Sequence, residues 1–168
     1  MENDLRERKV KGGRLERRLV AVCGEKSVTL ATAESCTGGM VAARITAVPG
    51  SSAVFLGGVV SYANAVKQAV LNVPQTVLEK HGAVSEECAK AMAKGACALL
   101  KADVAVSVTG IAGPGGGTPD KPVGLVCFGI ADKQSSHSER RVFEGSRAAV
   151  RQQATEYALE LLLKAVQG

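Results

Sequence analysis

Tryptophan is absent from this 168-residue chain, and aromatic residues make up only 3% of it. A core built without large rings must rest on Ala, Val and Leu, which suits closely packed layers. The same scarcity removes the aromatic platforms that single-stranded nucleic acid stacks on. Histidine occurs twice. His81 precedes a glycine and His137 lies in a polar stretch, so both read as surface positions. A Ser-His-Asp triad is therefore not expected. No CxxC pair exists among the five cysteines, Cys23, Cys36, Cys88, Cys97 and Cys127. Their odd number and wide spacing argue against a disulfide framework or a zinc site, and most read as small buried apolar residues. There is no apolar run of the roughly 18 residues that a membrane span needs. The N-terminus opens on charge and lacks the apolar centre of a signal peptide. The expectation is a soluble, cytoplasmic protein with no membrane association.

What is present is enough for a folded core. Hydrophobic residues are 46% of the chain and charged residues 22%, too apolar a mixture for disorder. The length points to one compact domain. We expect a flexible N-terminal segment over residues 1–12, with Gly12-Gly13 as punctuation, and a single domain over 13–168. The net charge of +5 comes mostly from Arg6 to Arg18, and the remainder is near neutral. That run reads as a solvated tail and an exposed helix face rather than a nucleic-acid arm.

The periodicity alternates between strand and helix. Arg14 to Gly24 predicts a first helix, and Ser27 to Ala33 a short, buried, β-branched strand. After Glu34-Ser35-Cys36-Thr37-Gly38-Gly39 comes a helix over Met40 to Thr46, closed by Pro49-Gly50. Ser52 to Tyr62 predicts a strand whose Gly57-Gly58 pair signals a bulge or a close backbone approach. Helices are expected from Ala63 to Leu71, from Pro74 to about His81, and from Ser85 to about Leu100, with Ser85 as N-cap. Asp103 to Thr109, Pro122 to Ala131 and Arg140 to Glu144 predict three further strands, the last at an edge. Arg147 to Val166 closes the chain as a helix. This order implies an α/β fold: a three-layer α/β/α sandwich on a mostly parallel, partly antiparallel sheet.

Glycine is abundant, at 19 residues, and two of its clusters follow predicted strands. One is Gly38-Gly39 and the other runs through Gly110, Gly113 and Gly115 to Gly117. Neither is a GxGxxG or a P-loop sequence. Both could face one cleft, because open α/β sheets bind ligands at the carboxyl ends of their strands. Ser35, between a buried strand and a helix start, is placed for nucleophilic work, with free helix N–H groups available to an oxyanion. Ser35 or Thr37 could equally be a plain N-cap. The segment is not a GxSxG elbow, since Ala33 and Thr37 stand at the glycine positions. A serine hydroxyl needs a base. With both histidines unpromising, Lys67 is the candidate, neutralised by burial or by cationic neighbours; the ordinary alternative is an exposed helix lysine.

Several separated motifs, in one order, carry more. The run Thr32-Ala33-Glu34-Ser35-Cys36-Thr37-Gly38-Gly39 resembles the signature of the CinA C-terminal domain family. So do Tyr62-Ala63-Asn64 with Lys67, His81-Gly82-Ala83-Val84-Ser85, Thr109-Gly110-Ile111-Ala112-Gly113-Pro114, Lys121-Pro122-Val123-Gly124 and the helix from Arg147 to Tyr157. The resemblance covers about residues 14 to 166. It implies an amidohydrolase that converts nicotinamide mononucleotide to nicotinate mononucleotide and ammonia, in pyridine-nucleotide recycling, with no metal or organic cofactor. It maps the nucleophile onto Ser35, the lysine base onto Lys67 and an assisting tyrosine onto Tyr62. Substrate contacts are expected from Glu34, Thr37, Gly38, Gly39, Asn64, Thr109, Gly110, Gly113 and Arg147, with Arg44 a weaker candidate for phosphate. The oxyanion is expected on N–H groups near Thr37 to Gly39. Family resemblance also implies a homodimer and the short form that lacks the additional N-terminal domain of many relatives. The competing expectations are a non-catalytic nucleotide-binding protein and an accessory protein of competence or DNA damage, with nucleic acid an unlikely partner on the charge argument above.

Overall fold

The computed structural model describes residues 15–168, so the segment expected to be flexible, and most of the basic run, lie outside the described residues. The described residues form a five-stranded sheet covered on both faces by helices. The strands are β1 (Leu30–Glu34), β2 (Phe55–Val60), β3 (Val104–Gly110), β4 (Leu125–Asp132) and β5 (Ser136–Val142). Their order across the sheet is β2-β1-β3-β4-β5. Pairings of β1 with β2 and β3 are parallel, while β3-β4 and β4-β5 are antiparallel. The fold is therefore the expected α/β class with a mixed sheet.

The helices are α1 (residues 15–26), α2 (Met40–Thr46), α3 (Asn64–Leu71), α4 (Gln75–His81), α5 (Glu86–Leu100) and α6 (Arg147–Gln167). One face of the sheet carries large apolar side chains, among them Leu30, Val106, Val108, Val126 and Phe128, packed against α1, α2 and α6. The other face is lined by Ala31, Ala33, Ala105 and Ala131 and takes the alanine-rich α5. Small side chains let α5 sit close: a Cβ on Gly129 would fall 2.2 Å from the Ala89 carbonyl oxygen. Phe128, Phe143 and Tyr157 form an edge-to-face cluster on the first face, where three of the chain's few rings are gathered.

Element boundaries differ from the sequence reading in several places, four of them with a clear local cause. Helix α1 runs past Gly24 to residue 26, and Ser27 ends it at φ 54°. Residues Ser51–Ala53 make a 3-10 turn after Gly50, so β2 begins later than the predicted Ser52. Pro122 to Gly124 form a turn closed by the Leu125 N–H on the Pro122 carbonyl, which delays β4. A Cβ on Gly124 would lie 2.0 Å from the Phe143 carbonyl oxygen, so this turn needs its glycine. The last strand is Ser136–Val142, not Arg140 to Glu144. Its polar residues show no apolar alternation, and its register is set by the turn at Asp132, whose carboxylate accepts the N–H groups of Gln134 and Ser135.

The double glycine in β2 serves both predicted purposes. The ladder with β1 shifts between Leu30↔Phe55 and Ala31↔Gly57, a bulge at Leu56. At Gly58 a Cβ would meet the Thr32 hydroxyl at 2.2 Å.

Candidate active site

Three parallel strands end side by side, and the chain leaving each contributes to one cleft of about 210 Å³. Ser35 and Cys36 follow β1, Tyr62, Asn64 and Lys67 follow β2, and Thr109 and Gly110 end β3. Ala83 and Val84, Ala112 and Arg147 complete the wall. The volume is below the ~300 Å³ at which pockets begin to enclose a drug-sized ligand, so the cleft has room for only part of a ligand of that size. Among the described residues no acidic side chain lines it. A larger groove of about 620 Å³ runs along the outer side of α5. None of the expected site residues lines it.

Ser35 is held as an extension of β1: its N–H donates to the Val108 carbonyl at 2.8 Å. Its hydroxyl does not cap α2, nor does that of Thr37, because the helix start is already satisfied. The carboxylate of Glu34, 1% exposed, accepts the N–H groups of Val41 at 2.9 Å and Ala42 at 3.1 Å. That arrangement places the Glu34 side chain at the start of α2. It is a buried carboxyl group at a helix N-terminus and does not line the cleft.

Lys67 is the largest fully buried side chain among the described residues, 1% exposed on α3. Its Nζ lies 3.0 Å from Ser35 Oγ, 2.7 Å from the Ser61 carbonyl and 3.1 Å from the Tyr62 carbonyl. Burial lowers its pKa below the ordinary value of 10.5, partly opposed by the nearby Cys88 and Cys36 thiols. A neutral amine has two N–H donors and one lone pair. With the extra proton present, all three N–H groups have acceptors in Ser35 Oγ and the two carbonyls; with it lost, the carbonyls take both remaining donors and the lone pair faces the serine hydroxyl. The exposed-lysine alternative is excluded by the geometry.

The other expected residues divide into two groups. Thr109 is buried and its hydroxyl donates to the Ala83 carbonyl at 2.9 Å, tying the β3 end to the loop opposite. Gly110 lies where a Cβ would meet the Leu125 carbonyl at 2.8 Å. Arg147 donates to the Gly113 carbonyl at 2.9 Å and to the Tyr62 hydroxyl at 3.4 Å. Tyr62 is 64% exposed, and the part of it that touches Lys67 is its carbonyl. Its phenol belongs to the rim, with Arg147.

Thr37, Gly38 and Gly39 form the turn into α2 and do not line the cleft. The Gly38 N–H bonds back to the Ser35 carbonyl at 3.1 Å, so it is not available to a ligand. The Thr37 and Gly39 N–H groups donate to no protein acceptor among the described residues. Among the described residues, the N–H of Cys36, directly after Ser35 and in the cleft wall, donates to no protein acceptor. Arg44 is also removed from the phosphate candidates, because it is engaged in ion pairs with Glu16 at 2.7 Å and Glu156 at 2.5 Å.

Sequence reasoning missed the Cys36 thiol as a wall of the cleft. Burial pushes it up to about 12, so it stays protonated beside the serine and does not compete as a nucleophile. The nearest signal was its place in the motif. No group of side chains suited to a metal occurs among the described residues. No helix among them is long and apolar enough to cross a membrane.

The fold and the site together define a class: a layered α/β domain in which a serine on one strand end meets a buried lysine in a cleft free of acids. The sequence model of the CinA C-terminal domain matches residues 13–166, and the chain belongs to that family. A CinA-like protein of Citrifermentans bemidjiense is 55% identical over 137 residues, covering 82% of this chain and 33% of that protein. A putative competence-damage inducible protein of Caldanaerobacter subterraneus is 44% identical over 154 residues, covering 92% of this chain and 37% of that protein. The chain therefore spans between 33% and 37% of the length of these curated relatives. The crystal structure of the competence/damage inducible protein CihA from Agrobacterium tumefaciens matches with a TM-score of 0.89 at 39% identity, covering 94% of this chain and 96% of that one. A CinA superfamily protein from Escherichia coli gives 0.84 at 34%, with 90% of each chain covered.

Proposed function

We propose that this chain is an amidohydrolase that deamidates nicotinamide mononucleotide to nicotinate mononucleotide and ammonia, with Ser35 as nucleophile and Lys67 as base. The observation that carries the reading is the 3.0 Å approach of Lys67 Nζ to Ser35 Oγ inside a buried site. The substrate follows from the family resemblance. It agrees with a cleft that has no carboxylate and carries Arg147 at its mouth, a suitable partner for a phosphate left across the rim.

Neutral Lys67 takes the hydroxyl proton as Ser35 Oγ attacks the carboxamide carbon. The negative charge moves to the carboxamide oxygen, where the Cys36 N–H stabilises it. Collapse of the tetrahedral species breaks the C–N bond, and Lys67 returns its proton to the departing ammonia. Water, deprotonated by the same amine, then hydrolyses the acyl ester and restores Ser35. Acid–base assistance of this kind is worth roughly 10²- to 10⁴-fold. Tyr62 acts at two points: its carbonyl orients the amine and its phenol frames the entrance with Arg147.

The test is ammonia release from nicotinamide mononucleotide, with the product identified by mass spectrometry. Ser35→Ala is expected to abolish it and to leave the circular dichroism spectrum unchanged. Turnover equal to that of the wild type rejects Ser35 as the nucleophile.

A further inference from the structure

Arg151 lies one helical turn after Arg147 on α6, so both guanidinium groups leave the same face of the helix. They have different destinations. Arg147 goes to the rim of the cleft, whereas Arg151 reaches the turn that follows Ser35. Its Nε donates to the Cys36 carbonyl at 2.9 Å and its Nη2 to the Thr37 carbonyl at 3.3 Å. Gly38 adopts φ 59°, and a Cβ there would stand 3.3 Å from the same Nη2, so the turn leaves room for the guanidinium.

The two carbonyls matter because of the amides on their far sides. In a trans peptide the C=O and the next N–H point in opposite directions. Holding the Cys36 carbonyl toward Arg151 turns the Thr37 N–H away from it. Holding the Thr37 carbonyl fixes the Gly38 N–H, whose bond to the Ser35 carbonyl in turn directs the Cys36 N–H. Every peptide plane between Ser35 and Gly38 is thus fixed at its oxygen. Two of the three are fixed by one side chain from another element.

We propose that Arg151 is the positioning residue of the oxyanion-binding Cys36 N–H, acting through the carbonyls of Cys36 and Thr37 and the bond from Gly38 to the Ser35 carbonyl. The proposal rests on the amidohydrolase reading above. Arg151 does not line the cleft and touches no reacting atom. Its contribution is preorganisation: without it, the peptide planes after Ser35 must reorient as charge develops on the substrate oxygen.

The test compares wild type, Arg151→Ala and Arg151→Lys by steady-state ammonia release and by labelling of Ser35 with a fluorophosphonate. In the label reaction the Ser35 Oγ–P bond forms as the P–F bond breaks, and the hydroxyl proton passes to Lys67. Arg151→Ala is expected to lower kcat and the labelling rate by about 10- to 100-fold, somewhat less than the ~10²–10³ for losing an oxyanion donor outright. KM should change little, and the pH midpoint set by Lys67 should not move. Arg151→Lys recovers part of the rate, since an ammonium carries charge but lacks the planar fork. Added guanidinium at millimolar concentration should restore part of the Arg151→Ala rate. Labelling and kcat equal to wild type in Arg151→Ala overturn the proposal, as does a loss confined to KM. A wild-type protein that releases no ammonia overturns the amidohydrolase reading while the labelling rates still decide on Arg151. One that also takes no label at Ser35 overturns both.

Discussion

At the scale of single residues, the site turns on the protonation of one amine. Lys67 loses solvation on burial, which lowers its pKa below 10.5. Activity should therefore rise with pH as Lys67 gives up its proton, along a limb whose midpoint lies below that ordinary value. Lys67→Arg cannot be deprotonated in this range. It is expected to lose at least about 10²-fold in kcat/KM and to show no such limb. A pH–rate profile over the alkaline range checks both points, and a retained limb in the variant assigns the titration to another group. The same shift has a consequence for stability. The folded state binds this proton less tightly than the unfolded chain does. The penalty is full below the folded-state pKa and is relieved as pH rises toward 10.5. A buried lysine is thus a cost to the fold, in keeping with a functional use for it.

At the scale of elements, the instructive case is the start of α2. Seven residues long and opened by Gly39 at φ 102°, it has no side-chain cap of the usual kind. Glu34, the last residue of β1, supplies the acceptor instead. This links strand to helix across the Ser35 turn and leaves the serine hydroxyl to Lys67. Glu34→Gln keeps the shape and removes the charge. It is expected to cost about 1–2 kcal/mol in denaturant unfolding, with KM for the mononucleotide unchanged. A raised KM at unchanged stability would return Glu34 to substrate binding. The local sequence did not reveal this role, because an acid six residues before the first helical residue is outside the usual capping positions. Only the reversal of the chain at Gly38 and Gly39 brings it there.

At the scale of the whole molecule, Arg44 joins three helices. Its guanidinium meets Glu16 of α1 at 2.7 and 2.8 Å, and Glu156 of α6 at 2.5 Å, from its place on α2. Burial is the largest single influence on the Glu16 carboxyl and pushes it up, but the bond to Arg44, a backbone hydrogen bond and the charges of Arg44 and Arg17 together outweigh it, and the net value lies below the ordinary 4.5. A carboxylate lowered in this way stabilises the fold above its unfolded-state pKa and loses that contribution as pH falls through the folded-state value. Arg44→Ala should cost about 1–3 kcal/mol near neutrality. The gap in melting temperature between wild type and variant should close on acidification below about pH 4. A gap that stays constant through that range would remove the ion pairs from the account.

Much of the architecture was legible along the chain. The helix over Met40 to Thr46 and the strand run in Asp103 to Thr109 follow from apolar spacing, and the layered fold follows from their alternation. The β5 strand was displaced by four residues because its pattern is polar, and pairing with β4 decides it. At the site, the sequence determined which groups exist: a serine after a strand, a lysine in a short helix, and glycines where Cβ atoms would collide. Their meeting is a property of the tertiary structure alone. Ser35 and Lys67 are 32 positions apart, and no local period relates them. The parallel pairing of β1 with β2 brings their ends together, and burial then sets the charge of the amine. Solvation is a property of surroundings, which a linear sequence does not contain.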